Sequence, residues 1–234
     1  MINNYKIEIC CGCLSDCLIA NNYDIDRIEL NSALELGGLT PSISTFLKAK
    51  KYTTKKIVCM VRTRTAGFLY NKEDIETMFS DAKIFLDNNA DGIVFGFLNK
   101  DNTIDKINTQ KMAKLIHSYN KEAIFHRAFD EVKDPIKAIE TLIECDIDRV
   151  LTSGLMPSAY DGIETIKLLE ENYKDKIEIL PGCGINSSNI NEILKKTHVS
   201  QFHMSAKKTN YDNGEYVSVD GNNIAKVIDA ILSQ

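Results

Sequence analysis

Eight short runs of β-branched or apolar residues recur along this 234-residue chain at intervals of about 20 to 35 residues, the spacing of a strand followed by a helix. They are Lys6 to Cys10, Asp26 to Leu30, Lys56 to Arg62, Gly92 to Gly96, Ala123 to Arg127, Arg149 to Thr152, Ile177 to Leu180 and Gln201 to Met204. Between them the apolar residues change period. Ile75, Met78, Phe79, Ala82, Phe85 and Leu86 recur at three and four, as do Ile136, Ile139 and Ile143, and Ile163, Ile166 and Leu169, each set giving one apolar helical stripe. Thr40 with Pro41 and Asp134 with Pro135 read as a cap and first turn of a helix, and Ile224 to Leu232 as the closing helix. Such alternation predicts an α/β chain with a parallel sheet, and eight units at this length predict a single (β/α)8 TIM-type barrel, one domain over residues 1–234. Asp24-Ile25-Asp26-Arg27-Ile28 recurs as Asp146-Ile147-Asp148-Arg149-Val150, entering strands two and six, which fits two half-barrels; a chance match is the alternative.

Charge and composition narrow the partners. A formal net charge of -5 and a pI near 5.5 give no basic footprint for nucleic acid or anionic lipid. No apolar run approaches the roughly 20 residues that cross a bilayer, and the polar start of the chain does not read as a secretory leader. The expected setting is the cytoplasm, with no nucleic acid and no membrane, and a metal ion or a small anionic ligand as partner. Seven cysteines, an odd number, argue there against a disulfide framework and for reduced thiols, some able to bind metal.

Candidate chemistry follows from strand parity, because alternate residues of each barrel strand point inward. Glu8 groups with Cys10, Glu29 with Arg27 and Asn31, and Arg62 with Met60, while His126 and His203 complete an inward set rich in charge. Unpaired buried charge is heavily penalised, so these groups either form paired ionic layers or serve a site. Arg27 and Arg149 begin their strands and fit the first description. Glu8, Glu29, Arg62 and His126 lie nearer the strand ends, where barrel enzymes place their chemistry, and are the candidate catalytic groups. On the run Ala123 to Asp130, His126 is expected inside the barrel and Arg127 behind the strand, paired with a carboxylate. The glycine-rich segment Pro181 to Ser187 follows strand seven and leads into a helix, the position at which barrels often cradle a phosphate. Gly182 and Gly184, with Ser205, Arg62 and Arg64, are thus the candidate anion-binding residues, although such glycines equally serve a tight turn. Cys10, Cys11, Cys13 and Cys17 cluster at the end of strand one. Soft thiolates suit Cu(I) or Zn, and Cys10, Cys11 and Cys13 are the candidate metal ligands; the alternative is that they are small buried hydrophobes.

Several runs together resemble the CutC family of copper homeostasis proteins. They are D-R-I-E-L at Asp26 to Leu30, S-A-L-E-L-G-G-L-T-P-S at Ser32 to Ser42, F-L-Y at Phe68 to Tyr70, D-G-I-V-F-G at Asp91 to Gly96, F-H-R-A-F-D at Phe125 to Asp130, D-R-V-L-T-S-G at Asp148 to Gly154 and F-H-M-S-A at Phe202 to Ala206. The resemblance implies a (β/α)8-type barrel in a cytoplasmic homo-oligomer that handles copper, with Cu(I) as the bound ion and no organic cofactor. The family's thiol pair would fall on Cys10 and position 31, which is Asn31 here. Its R-P-R-x-G-D-F run reads Arg62-Thr63-Arg64-Thr65-Ala66-Gly67-Phe68, and its P-G-G-G loop reads Pro181-Gly182-Cys183-Gly184. Two functions therefore stand side by side: a copper-binding protein using Cys10 and neighbouring thiols, and a lyase, isomerase or epimerase acting on a small anionic or phosphorylated substrate.

Overall fold

The computed structural model describes residues 1–233. Eight parallel strands, β1 (Lys6–Cys11), β2 (Arg27–Leu30), β3 (Lys56–Met60), β4 (Gly92–Phe95), β5 (Glu122–Phe125), β6 (Arg149–Thr152), β7 (Glu178–Pro181) and β8 (Gln201–Met204), form one barrel sheet. Helices α1 (Leu14–Asn21), α2 (Ile43–Tyr52), α3 (Lys72–Asp87), α4 (Lys106–His117), α5 (Pro135–Glu144), α6 (Ile163–Tyr173), α7 (Ile190–Thr197) and α8 (Gly221–Leu232) alternate with them. Backbone ladders run from β7 through β1 to β8, and the Gln201 amide closes the remaining β8–β7 side by donating to Glu178 at 3.0 Å. None of these helices is long and apolar enough to cross a membrane.

Six of the barrel strands end within a residue of where their apolar runs do, and β3 and β5 end two residues earlier. β3 stops at Met60, before Arg62, and β5 at Phe125, before His126, because both chains turn into loops that use the side chains as fasteners. Asp134 caps α5 by accepting from the Ile136 and Lys137 N–H groups, with Pro135 at the first position, as the sequence reads. At α2 the cap is Ser42, which accepts from Thr45 N–H, and not Thr40. Thr40 is drawn away by Arg62: its N–H and hydroxyl both donate to the Arg62 carbonyl, and its hydroxyl accepts from Arg62 N–H at 2.9 Å.

The repeated Asp-x-Asp-Arg run has a structural meaning. Asp26 accepts from Ile7 N–H at 2.9 Å and Asp148 from Ala123 N–H at 2.7 Å, each stitching the start of its strand to the start of the preceding one. Asp91 does the same to Ile57 N–H at 2.8 Å. Arg27 and Arg149, one residue on, enter an ionic layer at the amino ends of the strands. Arg27 Nε donates to Glu8, Arg27 Nη2 to Gln201 at 3.0 Å, and Arg149 to Glu178 at 3.0 Å and to Glu122. Above it, Val58, Met60, Val94 and Ile124 form a small apolar plug, while the large core lies between sheet and helices.

An antiparallel hairpin, β9 (Lys207–Tyr211) and β10 (Glu215–Val219), leaves β8 at the carboxyl end of the barrel. It is tied to α1 by Val219 N–H donating to the buried Asp16 at 2.9 Å. The eight-run reading of the sequence misses it. Its signal is Asn213-Gly214 between alternating residues, with Asn213 at φ 49° as a tight hairpin turn requires.

Candidate functional site

Inside the carboxyl ends of the strands lies a cavity of about 710 Å³. Cys10, Glu29, Asn31, Met60, Arg62, His126 and His203 form its polar depth, and Phe68, Leu98, Leu151 and Val217 its apolar sides. The site is brought together from seven barrel units, and each polar group has a local reason for its position.

His203 is placed by Glu8. The two are opposite one another in the β1–β8 ladder, and His203 Nδ1 lies 2.8 Å from Glu8 Oε1. Burial alone would raise the Glu8 pKa, but Arg27 and His203 outweigh it and hold the carboxyl well below the usual range. Burial likewise opposes charge on His203, and the neighbouring Glu29, Cys10 and Glu8 outweigh it, holding its pKa well above 6.5. Glu8 therefore sits beneath the cavity with both oxygens engaged, and its geometric role is to orient an imidazole rather than to reach a ligand.

Next to His203 stand Cys10 and Glu29, paired across the β1–β2 ladder. The Asn31 amide donates to Glu29 Oε1 at 2.7 Å and to Cys10 Sγ at 3.4 Å, so it ties carboxyl and thiol together and leaves its Oδ1 without a partner. Burial raises the pKa of both Cys10 and Glu29. The ligating atoms of Cys10, Glu29 and His203 all lie within 4.8 Å of one another. Cys11 and Cys13 do not join them. Cys11, one residue past Cys10, points to the helix side against Cys17, where burial pushes its thiol up; Cys13 Sγ lies 3.0 Å from Ser15 Oγ at the start of α1. Strand parity separates neighbours that sequence proximity had grouped.

The opposite wall is Arg62 and His126, both packed on Phe68. Arg62 Cζ stands 4.9 Å from the Phe68 ring centroid and the His126 ring 4.8 Å from it. Arg62 donates to the Gly37, Gly38 and Ala66 carbonyls at 3.2, 3.2 and 2.6 Å, which is why the Leu39-preceding glycines and the loop after β3 close over it. His126 Nδ1 accepts from Ala128 N–H at 3.1 Å, capping a 3-10 turn at Arg127–Glu131, so the neutral ring carries its hydrogen on Nε2. Burial first, then the Arg62 charge, depress its pKa to about 3. Gly96 makes room for this ring: a Cβ there would sit 2.5 Å from His126 Cε1.

Arg127 is not behind the strand. It stands at the mouth with a side chain 43% exposed, its Nε 2.8 Å from Asp130. Asp130 is the buried hub of this rim, accepting from the Thr152 hydroxyl at 2.6 Å, Ser153 N–H at 3.0 Å and Leu155 N–H at 3.2 Å. The F-H-R-A-F-D and L-T-S-G runs are thus fastened to each other. Of the candidate anion-binding set, Arg62 and Ser205 line the cavity, while Gly182, Gly184 and Arg64 do not. Gly182 N–H continues the β6–β7 ladder to Thr152, the Gly184 carbonyl accepts from Asn186 and Asn189, and Arg64 is spent on Asp74 and the Leu69 carbonyl. Lys207, the cation that the sequence places at the exit of strand eight, and Val217, which the sequence reading leaves out, close the cavity from the hairpin side.

A parallel eight-stranded barrel with its polar groups gathered at the carboxyl ends of the strands defines the class: a (β/α)8-barrel protein with a ligand cavity in its mouth. The chain belongs to the CutC family, whose family model matches residues 5–208. A CutC family protein from Treponema denticola is 48% identical over 207 residues, covering 88% of this chain and 83% of that protein. The human copper homeostasis protein cutC homolog is 38% identical over 207 residues, covering 88% and 75%. The crystal structure of CutC from Streptococcus agalactiae superposes with a TM-score of 0.79 at 29% identity, over 88% of this chain and 99% of that one. 3-Hexulose-6-phosphate synthase from Salmonella typhimurium, with a TM-score of 0.64 at 14% identity over 97% and 99%, shares the barrel fold. The family match ends at residue 208, so Val217 belongs to a stretch beyond it.

Proposed function

We propose that this protein binds a copper ion in the barrel mouth and takes part in copper homeostasis in the cytoplasm. The observation that carries this reading is the convergence of Cys10, Glu29 and His203 ligating atoms within 4.8 Å. Glu8 occupies His203 Nδ1 and leaves Nε2 for an ion, an arrangement typical of metal-bound histidines. A thiolate and an imidazole suit Cu(I), and the soft thioether of Met60 lines the same cavity. Glu29 is a harder donor, so Cys10 and His203 carry the affinity. Asn31, standing where a second thiol would be, holds the two ligands in place instead of supplying a soft one. The names of the human and Dictyostelium discoideum relatives, both copper homeostasis protein cutC homologs, support the same direction. Anaerobic Cu(I) titration against a competing chelator tests it: Cys10→Ser weakens binding by at least about tenfold, and unchanged competition removes Cys10 from the site.

A second reading, a lyase, isomerase or epimerase acting on a small anion, is favoured by one separate observation. The cavity extends well beyond the ion-sized cluster, to a wall where Arg62 and a neutral His126 stand with no carboxylate of the described residues in ion-pair contact with either.

A further inference from the structure

Arg62 is 94% removed from solvent, at 6% exposure, yet no carboxylate of the described residues lies within ion-pair distance of it. Its hydrogen bonds go to three backbone carbonyls, and its plane stacks on Phe68. Carbonyl dipoles and a ring face soften a buried positive charge without neutralising it. The next residue on that wall, His126, is 3% exposed, and its Nε2 has no hydrogen-bond partner among the described residues. Its Nδ1 is fixed as an acceptor by Ala128 N–H, so Nε2 is a donor. An unmade bond on a buried donor is a cost to the folded protein, which a bound acceptor returns.

At Asn31 the deficit has the opposite sense. The Asn31 amide is oriented by its donation to Glu29, which makes the unpartnered Oδ1 an acceptor. Asn31 and Arg62 converge on one turn: Arg62 Nη1 donates to the Gly38 carbonyl, and Asn31 Oδ1 lies 2.6 Å from where a Gly38 Cβ would be. A group bridging them carries a negative acceptor at one end and a neighbouring hydrogen-bond donor at the other. Phe68, Leu98, Leu151 and Val217 supply apolar walls for the rest of it. Within this wall one guanidinium and one neutral donor suit a monoanion better than a phosphate dianion; Arg127 and Lys207, which also line the cavity, come from the rim turn and the hairpin, and the glycine loop after β7 offers the cavity no amide cradle.

We propose that the Arg62–His126–Asn31 wall is a binding site for a small organic carboxylate that bears an adjacent hydroxyl or amino group and an apolar body. This deepens the second reading above and rests on its wall, but on binding alone, not on turnover. Arg62 and His126 hold the carboxylate, Asn31 receives the hydroxyl or amino hydrogen, and the apolar chain lies towards Phe68 and the hairpin.

Calorimetric titration of chelator-treated protein with 2-hydroxycarboxylates from lactate to phenyllactate tests the proposal independently of any metal. Phenyllactate binds at least about tenfold more tightly than phenyllactamide, which lacks the charge, and more tightly than 3-phenylpropanoate, which lacks the hydroxyl. His126→Asn keeps an acceptor for Ala128 N–H but removes the Nε2 donor, and weakens phenyllactate by about tenfold. Arg62→Gln abolishes the preference for acid over amide; where it disturbs the loop, His126→Asn decides. Acid and amide binding equally, no member of the series binding at millimolar concentration, or His126→Asn binding like the parent each overturns the site. A carboxylate that binds as described but is not transformed leaves this inference standing and removes the enzyme reading.

Discussion

Acidification acts on this barrel through His126. In the folded protein burial, reinforced by the Arg62 charge, moves its pKa from 6.5 to about 3, so the ring is neutral at every pH at which the protein is usually handled. In the unfolded chain the ring regains its ordinary affinity for protons. Below pH 6.5 the unfolded state therefore binds a proton that the folded state refuses, and stability is lost as pH falls from 6.5 towards 3. Between about pH 7 and about pH 4.5 the two binding curves differ by ~2.5 kcal/mol. At 3% exposure solvent screens little of this. Urea denaturation of the parent and of His126→Gln at both pH values isolates it, because glutamine cannot titrate and the other groups titrate alike in both proteins. The stability difference between parent and variant shifts against the parent by ~2.5 kcal/mol on acidification. A difference that stays constant with pH would refute a buried, neutral His126.

Three further outcomes follow from the same geometry. Cu(I) affinity rises with pH, because burial raises the Cys10 pKa and surrounding groups raise that of His203, so binding must release those protons; competition titrations at two pH values in buffer of fixed ionic strength measure it. Gly96→Ala drives a Cβ to 2.5 Å from the His126 ring and costs about 2 kcal/mol, read as a lowered urea midpoint; an unchanged midpoint means that the ring moves freely. Asp130→Ala strands the donors of Thr152, Ser153, Leu155 and Arg127 and costs about 3 kcal/mol, whereas the exposed partner's Arg127→Ala costs about 1 kcal/mol or less, an ordering that thermal unfolding checks directly.

Much of the site was legible because strand parity is a local rule. Inward Cys10, Glu29, His126 and His203 follow from alternation alone, and so does the outward turn of Cys11, once proximity in sequence is not mistaken for proximity in space. The assignment of Arg127 failed for a local reason too: β5 ends at Phe125, and a 3-10 turn has no two-residue alternation to extrapolate. The loop after β7 carries glycines in a pattern that suits a phosphate cradle, but its polar groups bond to one another and to β6, which no spacing reveals.

The sequence by itself determined the barrel, its eight units and the ionic layer beneath the site, because the apolar period and the Asp-Arg pair at the starts of β2 and β6 are properties of short segments. Only the tertiary structure decided which charges are spent. Glu8 is consumed by partners as distant in the chain as His203, Arg62 and His126 are left with unmet demands, and a hairpin that runs past the end of the family match forms one wall. Whether a buried polar group is satisfied depends on atoms brought from other units of the barrel, and that pairing exists only once the barrel has closed.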